Sequence, residues 1–237
     1  MKPQFDASPL RKALLCLNKD SRRDFRFFRQ FPRGPFRTFL DIGAYHGEFT
    51  DRVLRHYPVE KVVLFEPFPD SITLLRQRYQ NEPRCTVQPF ALSDQSGSTA
   101  LRVLNKADSS SLLDPVGDAS AVLQRDFHEV GQTQIETRRL DEIPGLADVP
   151  RFDLAKIDVQ GAELKVLRGC GALLDRIQAI YIEVNFRSLY QNGAVFCETH
   201  AFLEQAGFLL GFMQEFRRNA EGALIYGNAY YFRPGSR

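Results

Sequence analysis

The stretch TFLDIGAYHGEF, residues 38–49, decides the fold class of this 237-residue chain. Its first five residues make an apolar run of strand length, Gly43 and Gly47 follow in a short turn, and a helical pattern begins directly afterwards. Glycines in such a turn let a ligand approach the backbone, and the start of the next helix offers free N–H groups. The segment therefore predicts the first strand–turn–helix unit of an α/β domain, with a ligand site at its turn.

The same alternation of strand and helix patterns continues along the chain. Helices are predicted over 49–57, 70–80, 162–168 and 196–206. Strands are predicted over 38–42, 61–65, 85–87 continuing into 90–92 as a third strand, 98–104, 134–138, 152–157, 179–184, 208–214 and 229–232. The Ser-, Asp- and Gly-rich residues 105–120 predict a loop or lid. Because such alternation implies right-handed parallel crossovers, we predict an α/β fold with a doubly wound, mostly parallel, Rossmann-like sheet.

The first 37 residues differ from the rest in charge. They carry ten Lys and Arg residues against three acids, a net +7, whereas the remaining 200 residues carry −5. Two short helical patterns predict a basic N-terminal helical cap over residues 1–36, followed by a main domain over residues 37–237. The basic side chains are either the solvated faces of these helices or a contact for an acidic substrate, a membrane surface or nucleic acid.

Composition excludes several classes of protein. With 43% hydrophobic and 25% charged residues, the chain has the balance of a globular protein rather than of a disordered or collagen-like one. No apolar run approaches the roughly 18 residues of a membrane span. The four cysteines form no C-x-x-C pair, which argues against zinc fingers and a secreted disulfide framework. Since the N-terminus also lacks the apolar core of a signal peptide, we expect a cytoplasmic protein without a transmembrane segment.

The spacing around the glycine turn indicates the kind of ligand it binds. Glu66 ends the second predicted strand, 19 residues after Gly47, which suits a carboxylate that binds a ribose diol. The pattern D-x-G-x-x-x-G differs from the G-x-G-x-x-G of NAD-binding folds, and no P-loop motif occurs. Asp41 would repel a pyrophosphate and suits a cationic ligand such as the amino acid part of S-adenosylmethionine. The alternative is an ordinary β–α turn whose glycines serve packing.

Seven segments extend this pattern in order along the chain. They are FLDIGAYHGEFT, VVLFEPFPDSITLL, VQPFALSDQSG, SSSLLDP, TRRLDEI, FDLAKIDVQGAELKVLRG and IEVNF. Together they resemble the FkbM family of S-adenosylmethionine-dependent methyltransferases over about residues 37–207, and KIDVQGAELKVLRG is the most specific part. The resemblance implies a sheet of the class I methyltransferase type. It also implies S-adenosylmethionine as cofactor and S-adenosylhomocysteine as product.

The resemblance further implies which residues hold the cofactor. The motif around its methionine part corresponds to four residues: Asp41, Gly43, Ala44 and Gly47. Glu66 corresponds to the acid that binds the ribose. The adenine is expected beside four further residues: Pro67, Phe68, Ala91 and Leu92. Asp158 corresponds to the position that faces the methyl group and the acceptor, and it is therefore also counted among the cofactor-binding residues.

Three residues are candidates for the chemistry. Methyl transfer needs an aligned acceptor and the removal of one proton, and Asp158 is the candidate base. The alternative for Asp158 is to orient the cofactor or to cap the following helix. Glu183, at the end of the next strand, either orients the substrate or is an ordinary polar strand end. His46 lies in the glycine turn, from which it could reach the substrate.

Other charged and polar residues near this motif bear on the same site. Lys156 lies in a strand that reads as buried, so it needs a partner, and Glu163 or Asp158 can provide one. Gln160 stands where the FkbM family usually has Glu, which removes a charge near the acceptor. Asp158, Glu183 and a histidine could hold Mg²⁺, but the sequence contains no dense carboxylate cluster, so no metal site is expected.

The function that the resemblance implies is O-methylation of a hydroxyl group on a sugar, glycan or glycosylated small molecule. The expected partner is therefore a small-molecule or glycan acceptor. The first alternative is an RNA-directed or other nucleic-acid-binding methyltransferase that uses the basic N-terminal arm. It has little support, since the arm has no recognised motif and the main domain is acidic. The second alternative is a non-catalytic protein that binds the cofactor.

Overall fold

The computed structural model describes residues 28, 30–31, 36–105, 111–117, 119–123 and 128–235. The chain divides into two units, Met1–Gly34 and Pro35–Arg237. In the first unit, the rings of Phe28 and Phe31 meet edge to face with centroids 5.1 Å apart. The predicted N-terminal helical cap lies almost entirely outside the described residues and stays a prediction. The second unit carries the sheets and helices that follow.

A seven-stranded sheet forms the centre of the second unit. In spatial order its strands are β3 (Cys85–Gln88), β2 (Lys61–Phe65), β1 (Thr38–Ile42), β7 (Leu154–Ile157), β8 (Ala179–Asn185), β10 (Leu224–Phe232) and β9 (Leu209–Arg218). The five strands from β3 to β8 are parallel, whereas β10 runs antiparallel to both β8 and β9. The predicted mostly parallel α/β sheet is confirmed. Strand order reverses between β1 and β7, which is where ligands bind in open sheets of this kind.

A second sheet of three strands corrects one prediction. It contains β4 (Ala91–Leu92), β6 (Glu129–Arg138) and β5 (Gly97–Leu104) in that order. The prediction of one third strand through residues 85–92 is wrong, because Ala91–Leu92 leaves the large sheet and pairs with β6. Pro89 separates β3 from β4, and a proline cannot donate the backbone hydrogen bond that a continuous strand needs.

Helices connect the strands much as the periodicity predicts. Five α-helices lie within the described residues: α1 (Glu48–His56), α2 (Pro69–Arg78), α3 (Ala119–Leu123), α4 (Glu163–Gly169) and α5 (Phe196–Gln205). Two 3₁₀ helices span Leu140–Glu142 and Gly171–Arg176. The described part of the predicted loop at 105–120 contains single bridges from Ser111 to Arg102 and from Pro115 to Tyr190. No helix among the described residues is long and apolar enough to cross a membrane.

The central strands are buried over nearly their whole length. All four residues of β7 and all seven of β8 are buried, as expected for parallel strands covered on both faces. Most of these side chains are apolar, but Asp41 in β1, Lys156 in β7 and Glu183 in β8 are charged and buried as well. Because a buried charge needs a compensating partner, these three residues indicate a site at this part of the sheet.

Candidate active site

The glycine turn after β1 brings the ends of three strands together. The N–H groups of Gly43 and Ala44 donate hydrogen bonds of 3.0 and 3.1 Å to the carbonyl oxygen of Phe65 at the end of β2. Gly43 has a φ of +76°, and a Cβ at this position would lie 2.0 Å from the carbonyl oxygen of Asp158. Only glycine therefore fits where the chain after β1 passes the chain after β7.

Gly47 has a structural task in the same turn. It precedes α1 with a φ of +87°, and Tyr79 donates a 2.8 Å hydrogen bond to its carbonyl oxygen. A Cβ on Gly47 would lie 2.5 Å from the hydroxyl oxygen of Tyr79. Gly47 thus allows α1 to begin at this point, and it does not itself line the cleft described below.

Glu66 lies at the end of β2 with its carboxylate fixed by backbone groups. Oε2 accepts a 2.7 Å hydrogen bond from the N–H of Tyr45, and Oε1 accepts a 2.9 Å hydrogen bond from the N–H of Phe68. Burial raises the pKa of Glu66 to about 7 even though these two hydrogen bonds lower it. An ionised carboxylate has about four acceptor positions, so Glu66 retains the capacity to bind a further pair of hydroxyl groups.

A buried ion pair lies behind the glycine turn. Nζ of Lys156 is 3.5 Å from Oδ1 of Asp41 and 3.7 Å from Oδ2 of Asp158, and it donates a 2.5 Å hydrogen bond to the carbonyl oxygen of Gly43. Thr50 donates a 2.6 Å hydrogen bond to Oδ2 of Asp41. The prediction that Asp158 serves as a partner of Lys156 is confirmed, and Asp41 is the second partner.

The pKa values of both Asp41 and Lys156 are raised above their usual values. Burial raises the pKa of Asp41, although Lys156 and the Thr50 hydroxyl act in the opposite direction. Burial by itself lowers the pKa of Lys156, but the carboxylates of Asp158, Asp41 and Glu66 outweigh this effect and raise the pKa above its usual value. Lys156 therefore stays protonated and holds the carbonyl of the glycine turn in place.

Asp158 is oriented by its neighbour Gln160. Nε2 of Gln160 donates a 2.8 Å hydrogen bond to Oδ1 of Asp158, while Tyr190 donates a 3.1 Å hydrogen bond to Oε1 of Gln160. Ser111 donates a 2.6 Å hydrogen bond to the carbonyl oxygen of Gln160, which has a φ of 55°. The segment around Ser111 is thus tied to the chain that follows β7, and the Gln160 amide links Tyr190 to Asp158.

Two further carboxylates lie beside Asp158. Oxygen atoms of Asp158, Glu163 and Glu183 lie within 4.8 Å of one another, and we refer to these three residues as the carboxylate cluster. Oε1 of Glu163 accepts 3.1 Å hydrogen bonds from the N–H groups of Val159 and Gly161. Burial raises the pKa of Glu163 to about 7. The expectation that no dense carboxylate cluster exists is wrong, because the α4 residue Glu163 turns back to the strand ends.

One cleft of about 290 Å³ lies at this edge of the sheet. Eight of the residues expected to bind cofactor or substrate line it: Gly43, Ala44, Glu66, Pro67, Phe68, Ala91, Leu92 and Asp158. Four others do not line it: Asp41, His46, Gly47 and Glu183. Asp41 contacts the lining residue Lys156 instead, and the ring of His46 stacks on Tyr45, which does line the cleft, with centroids 3.7 Å apart.

Sequence reasoning missed several residues of this cleft. They include Leu101, Leu112, Phe49, Arg52, Tyr181, Glu215 and Asn228. Tyr181 could have been found, since it lies two residues before Glu183 and so faces the same side of β8. Glu215 gives no such signal. It has a φ of 57° at a register shift in β9, and its Oε2 accepts a 2.9 Å hydrogen bond from the Tyr181 hydroxyl.

Comparison with protein families gives a match over most of the chain. Residues 41–210 match the model of the methyltransferase FkbM domain. This range includes the glycine turn, Glu66, the carboxylate cluster and most of the two sheets. It therefore holds most of the residues that line the cleft, whereas Glu215 and Asn228 lie beyond it.

Individual proteins are similar to the same region. The 2-O-methyltransferase NoeI of Sinorhizobium fredii is 30% identical over 66% of this chain and 67% of its own length. The hexuronic acid methyltransferase AglP of Haloferax volcanii is 28% identical over 52% of this chain and 47% of its own. The crystal structure of methyltransferase FkbM from Methylobacillus flagellatus superposes with a TM-score of 0.55 at 17% identity. That match covers 88% of this chain but only 47% of that structure, so this chain spans about half of its length.

Proposed function

This chain belongs to the FkbM methyltransferase family, and on that premise we propose that it transfers a methyl group from S-adenosylmethionine to a hydroxyl group of a sugar or glycan. The family match makes the chain a methyltransferase. The acceptor class is supported by two relatives, one named as a 2-O-methyltransferase and one as a hexuronic acid methyltransferase. The small-molecule or glycan acceptor expected from the sequence agrees with those names.

The described residues fit the cofactor. Glu66 offers a fixed carboxylate to the ribose diol, and Gly43 and Ala44 offer a backbone without bulky side chains to the methionine part. Phe68 packs against Ala91 and Leu101, and these three residues offer the adenine an apolar wall of the cleft. When bound, S-adenosylmethionine supplies an electrophilic methyl group on a sulfonium, which becomes the neutral thioether of S-adenosylhomocysteine after transfer.

Asp158 is the proposed base of the reaction. Its carboxylate lines the cleft at the carboxyl end of β7, where it can accept the proton of the acceptor hydroxyl as the oxygen becomes methylated. Gln160 fixes the orientation of the carboxylate through its 2.8 Å hydrogen bond, and Lys156 attracts it from 3.7 Å. Such positioning matters because in-line displacement requires the acceptor oxygen to be held within reach of the methyl group.

One observation carries the proposal. Glu66 and Asp158 end two strands on either side of β1, and both line the same cleft at the point where strand order reverses. An acid that binds the ribose and a base for the acceptor hydroxyl must both face the same bound cofactor, and two positions that line one cleft meet this requirement. Glu183 and His46 do not line the cleft, so we propose that they influence the substrate only indirectly, through neighbouring residues that do.

Thermal unfolding with S-adenosylhomocysteine tests the cofactor. At 100 times its dissociation constant the ligand should stabilise the fold by about 2.7 kcal/mol, which raises the melting temperature by roughly 5–10 °C. NAD serves as the control ligand and should cause no shift. If S-adenosylhomocysteine also causes none, the proposed cofactor is wrong.

Two variants separate cofactor binding from chemistry. We expect Asp158→Ala to keep the shift with S-adenosylhomocysteine but to lose turnover with uronic acids and oligosaccharides offered as acceptors. Glu66→Gln should lose most of the shift. The matched control is Asp175→Asn, an exposed carboxylate on the 3₁₀ helix after α4, which should change neither readout. Loss of the shift in Asp158→Ala would contradict the assignment of Asp158 as a base.

A further inference from the structure

The carboxylate cluster concentrates negative charge in a mostly buried place. Glu163 is 2% exposed, Glu183 is 9% exposed and the Asp158 side chain is 35% exposed. The pairing of Ile157 with Ile182 places Asp158 and Glu183 at neighbouring positions on the same side of β7 and β8. Nζ of Lys156 lies 3.7 Å from Oδ2 of Asp158, and it is shared with Asp41. Like charges at these distances are costly in a medium of low dielectric constant.

Asn185 gives a second, independent indication that this place binds a ligand. It lies two residues after Glu183 in β8, so its side chain projects from the same side of the strand and one step nearer the carboxyl end. Asn185 is 3% exposed, and its Oδ1 atom is buried without a hydrogen-bond partner among the described residues. A buried amide oxygen without a donor costs about 1–3 kcal/mol, and native proteins rarely leave one unsatisfied.

We propose that Asp158, Glu163, Glu183 and Asn185 form a binding site for one hard divalent cation such as Mg²⁺ or Mn²⁺. All four side chains offer oxygen atoms, and the described residues bring no histidine or cysteine into the cluster, which favours these cations over Zn²⁺. A cation would offset the repulsion among the carboxylates and would at the same time satisfy Oδ1 of Asn185.

The surroundings of the cluster suit such a site. Val159 and Gly161 donate to Oε1 of Glu163, and Gln160 donates to Oδ1 of Asp158, so two of the carboxylates are oriented by fixed donors. Donors of this kind commonly orient the ligands of a metal. Asp158 also lines the cleft, so the cation would lie beside it and could coordinate neighbouring hydroxyl groups of a sugar. This last role rests on the proposed function, whereas cation binding does not.

Direct titration with Mn²⁺ tests the site in the full chain without cofactor or acceptor. The electron paramagnetic resonance signal of free Mn²⁺ disappears on binding, and we expect about one Mn²⁺ per chain, displaced by Mg²⁺. Glu183→Gln should weaken Mn²⁺ binding at least about tenfold, because it removes a charged ligand. The matched control is Glu204→Gln on the exposed side of α5, which should bind as the parent does. Absent binding, or equal affinity in the parent and Glu183→Gln, would overturn the proposal.

Asn185→Asp provides a test with the opposite sign. Without a cation it adds a fourth carboxylate to the cluster, so its melting temperature in EDTA should fall below that of the parent. Mn²⁺ should then raise the melting temperature of this variant by more than it raises that of the parent, because the ligand charge is greater. A variant whose melting temperature does not respond to Mn²⁺ would contradict the site.

The two proposals fail in different ways. A melting shift with S-adenosylhomocysteine in EDTA, together with no Mn²⁺ binding, would remove the cation site and leave the methyltransferase proposal standing. Mn²⁺ binding without any effect of S-adenosylhomocysteine would support the cation site and contradict the proposed cofactor.

Discussion

The ammonium nitrogen of Lys156 lies 3.5 Å from Oδ1 of Asp41, in the buried middle of the sheet. This pair joins β7 to β1, and the same ammonium group donates to the carbonyl oxygen of Gly43 in the turn. Burial of both partners makes the pair costly to break, since the charge left behind would have no access to water. The geometry of the proposed cofactor turn therefore depends on a buried ion pair whose lysine lines the cleft.

A double-mutant cycle measures how strongly the two residues depend on each other. Lys156→Met should lower the free energy of unfolding by about 3–5 kcal/mol, because it leaves Asp41 buried without its counter-charge. The double variant, Lys156→Met with Asp41→Asn, should lose less free energy of unfolding than the two single variants lose in sum. Urea unfolding provides the measurement.

A surface pair at the same distance is the control for that cycle. Arg37 and Glu60 are also 3.5 Å apart, but their side chains are 65% and 69% exposed. Arg37→Met should therefore cost about 0–1 kcal/mol. Equal costs at the two pairs would show that burial does not make the pair of Lys156 and Asp41 more costly to break.

Gly43→Ala tests the close approach of two backbones in the turn. The added Cβ would meet the carbonyl oxygen of Asp158 at 2.0 Å, and the backbone cannot move away without displacing β7. We expect a large loss of stability, above about 3 kcal/mol, and loss of the melting shift with S-adenosylhomocysteine.

Gly145→Ala isolates the contribution of the backbone angle. Gly145 has a φ of +80°, close to the +76° of Gly43, but a Cβ there would meet no atom within 4 Å. It should cost only about 1 kcal/mol, because the left-handed conformation alone is strained. If both alanine variants unfold at the same urea concentration, the contact with Asp158 is not the reason that position 43 needs glycine.

Glu66 should contribute to the pH dependence of the free energy of unfolding. Burial raises its pKa to about 7, well above the ordinary value of 4.5, so the folded protein binds a proton more tightly than the unfolded chain. Glu66 therefore favours folding most below pH 4.5, and this contribution is lost as the pH rises to about 7. A shift of this size corresponds to about 3 kcal/mol.

Comparison of the parent with Glu66→Gln isolates this effect from other titrating groups. We expect the difference in the free energy of unfolding between the two proteins to change by about 3 kcal/mol from pH 4.5 to pH 7 and to stay constant above that range. Glu204→Gln, an exposed change of the same kind, should run parallel to the parent. Parallel curves for Glu66→Gln as well would mean that Glu66 has an ordinary affinity for protons.

The strand–turn–helix units could be predicted because each depends on local patterns. The apolar run before Gly43, the helical stripe through Val53 and the position of Glu66 at a strand end all lie within short segments. Side chains that meet only through pairing of distant strands were harder to anticipate. Glu163 was one of two expected partners of Lys156, but the described ion pairs of Lys156 are with Asp41 and Asp158, and Glu163 lies beside Asp158 and Glu183.

Irregular backbone accounts for the other differences between the predictions from sequence and the structure. Pro89 follows the end of β3, and Ala91 pairs with β6 in the second sheet. A search for apolar runs in the sequence does not reveal this change of sheet. Glu215 reaches the cleft because β9 shifts its register between the partners of Tyr226 and Asn228. A bulge of this kind redirects a side chain without a reliable mark in the sequence.

Gln160→Glu tests whether the amide between Tyr190 and Asp158 sets the state of the proposed base. The change replaces the N–H that donates to Oδ1 of Asp158 over 2.8 Å by a carboxylate oxygen. Two carboxylates at this distance do not both ionise readily, so the pair of side chains should retain one proton at low pH and lose it only as the pH rises. We expect the acidic limb of the pH profile of kcat to move upward by about one unit or more, with the affinity for S-adenosylhomocysteine changed less than about threefold.

The same chemical change at a distant position is the control. Gln205→Glu adds a carboxylate at the exposed end of α5 and should leave the pH profile of kcat as it is in the parent. Tyr190→Phe removes the 3.1 Å hydrogen bond to Oε1 of Gln160 without adding charge, so it should lower kcat but leave the limb in place. A limb that stays in place in Gln160→Glu would mean that the side chain at position 160 does not set the protonation of the proposed base.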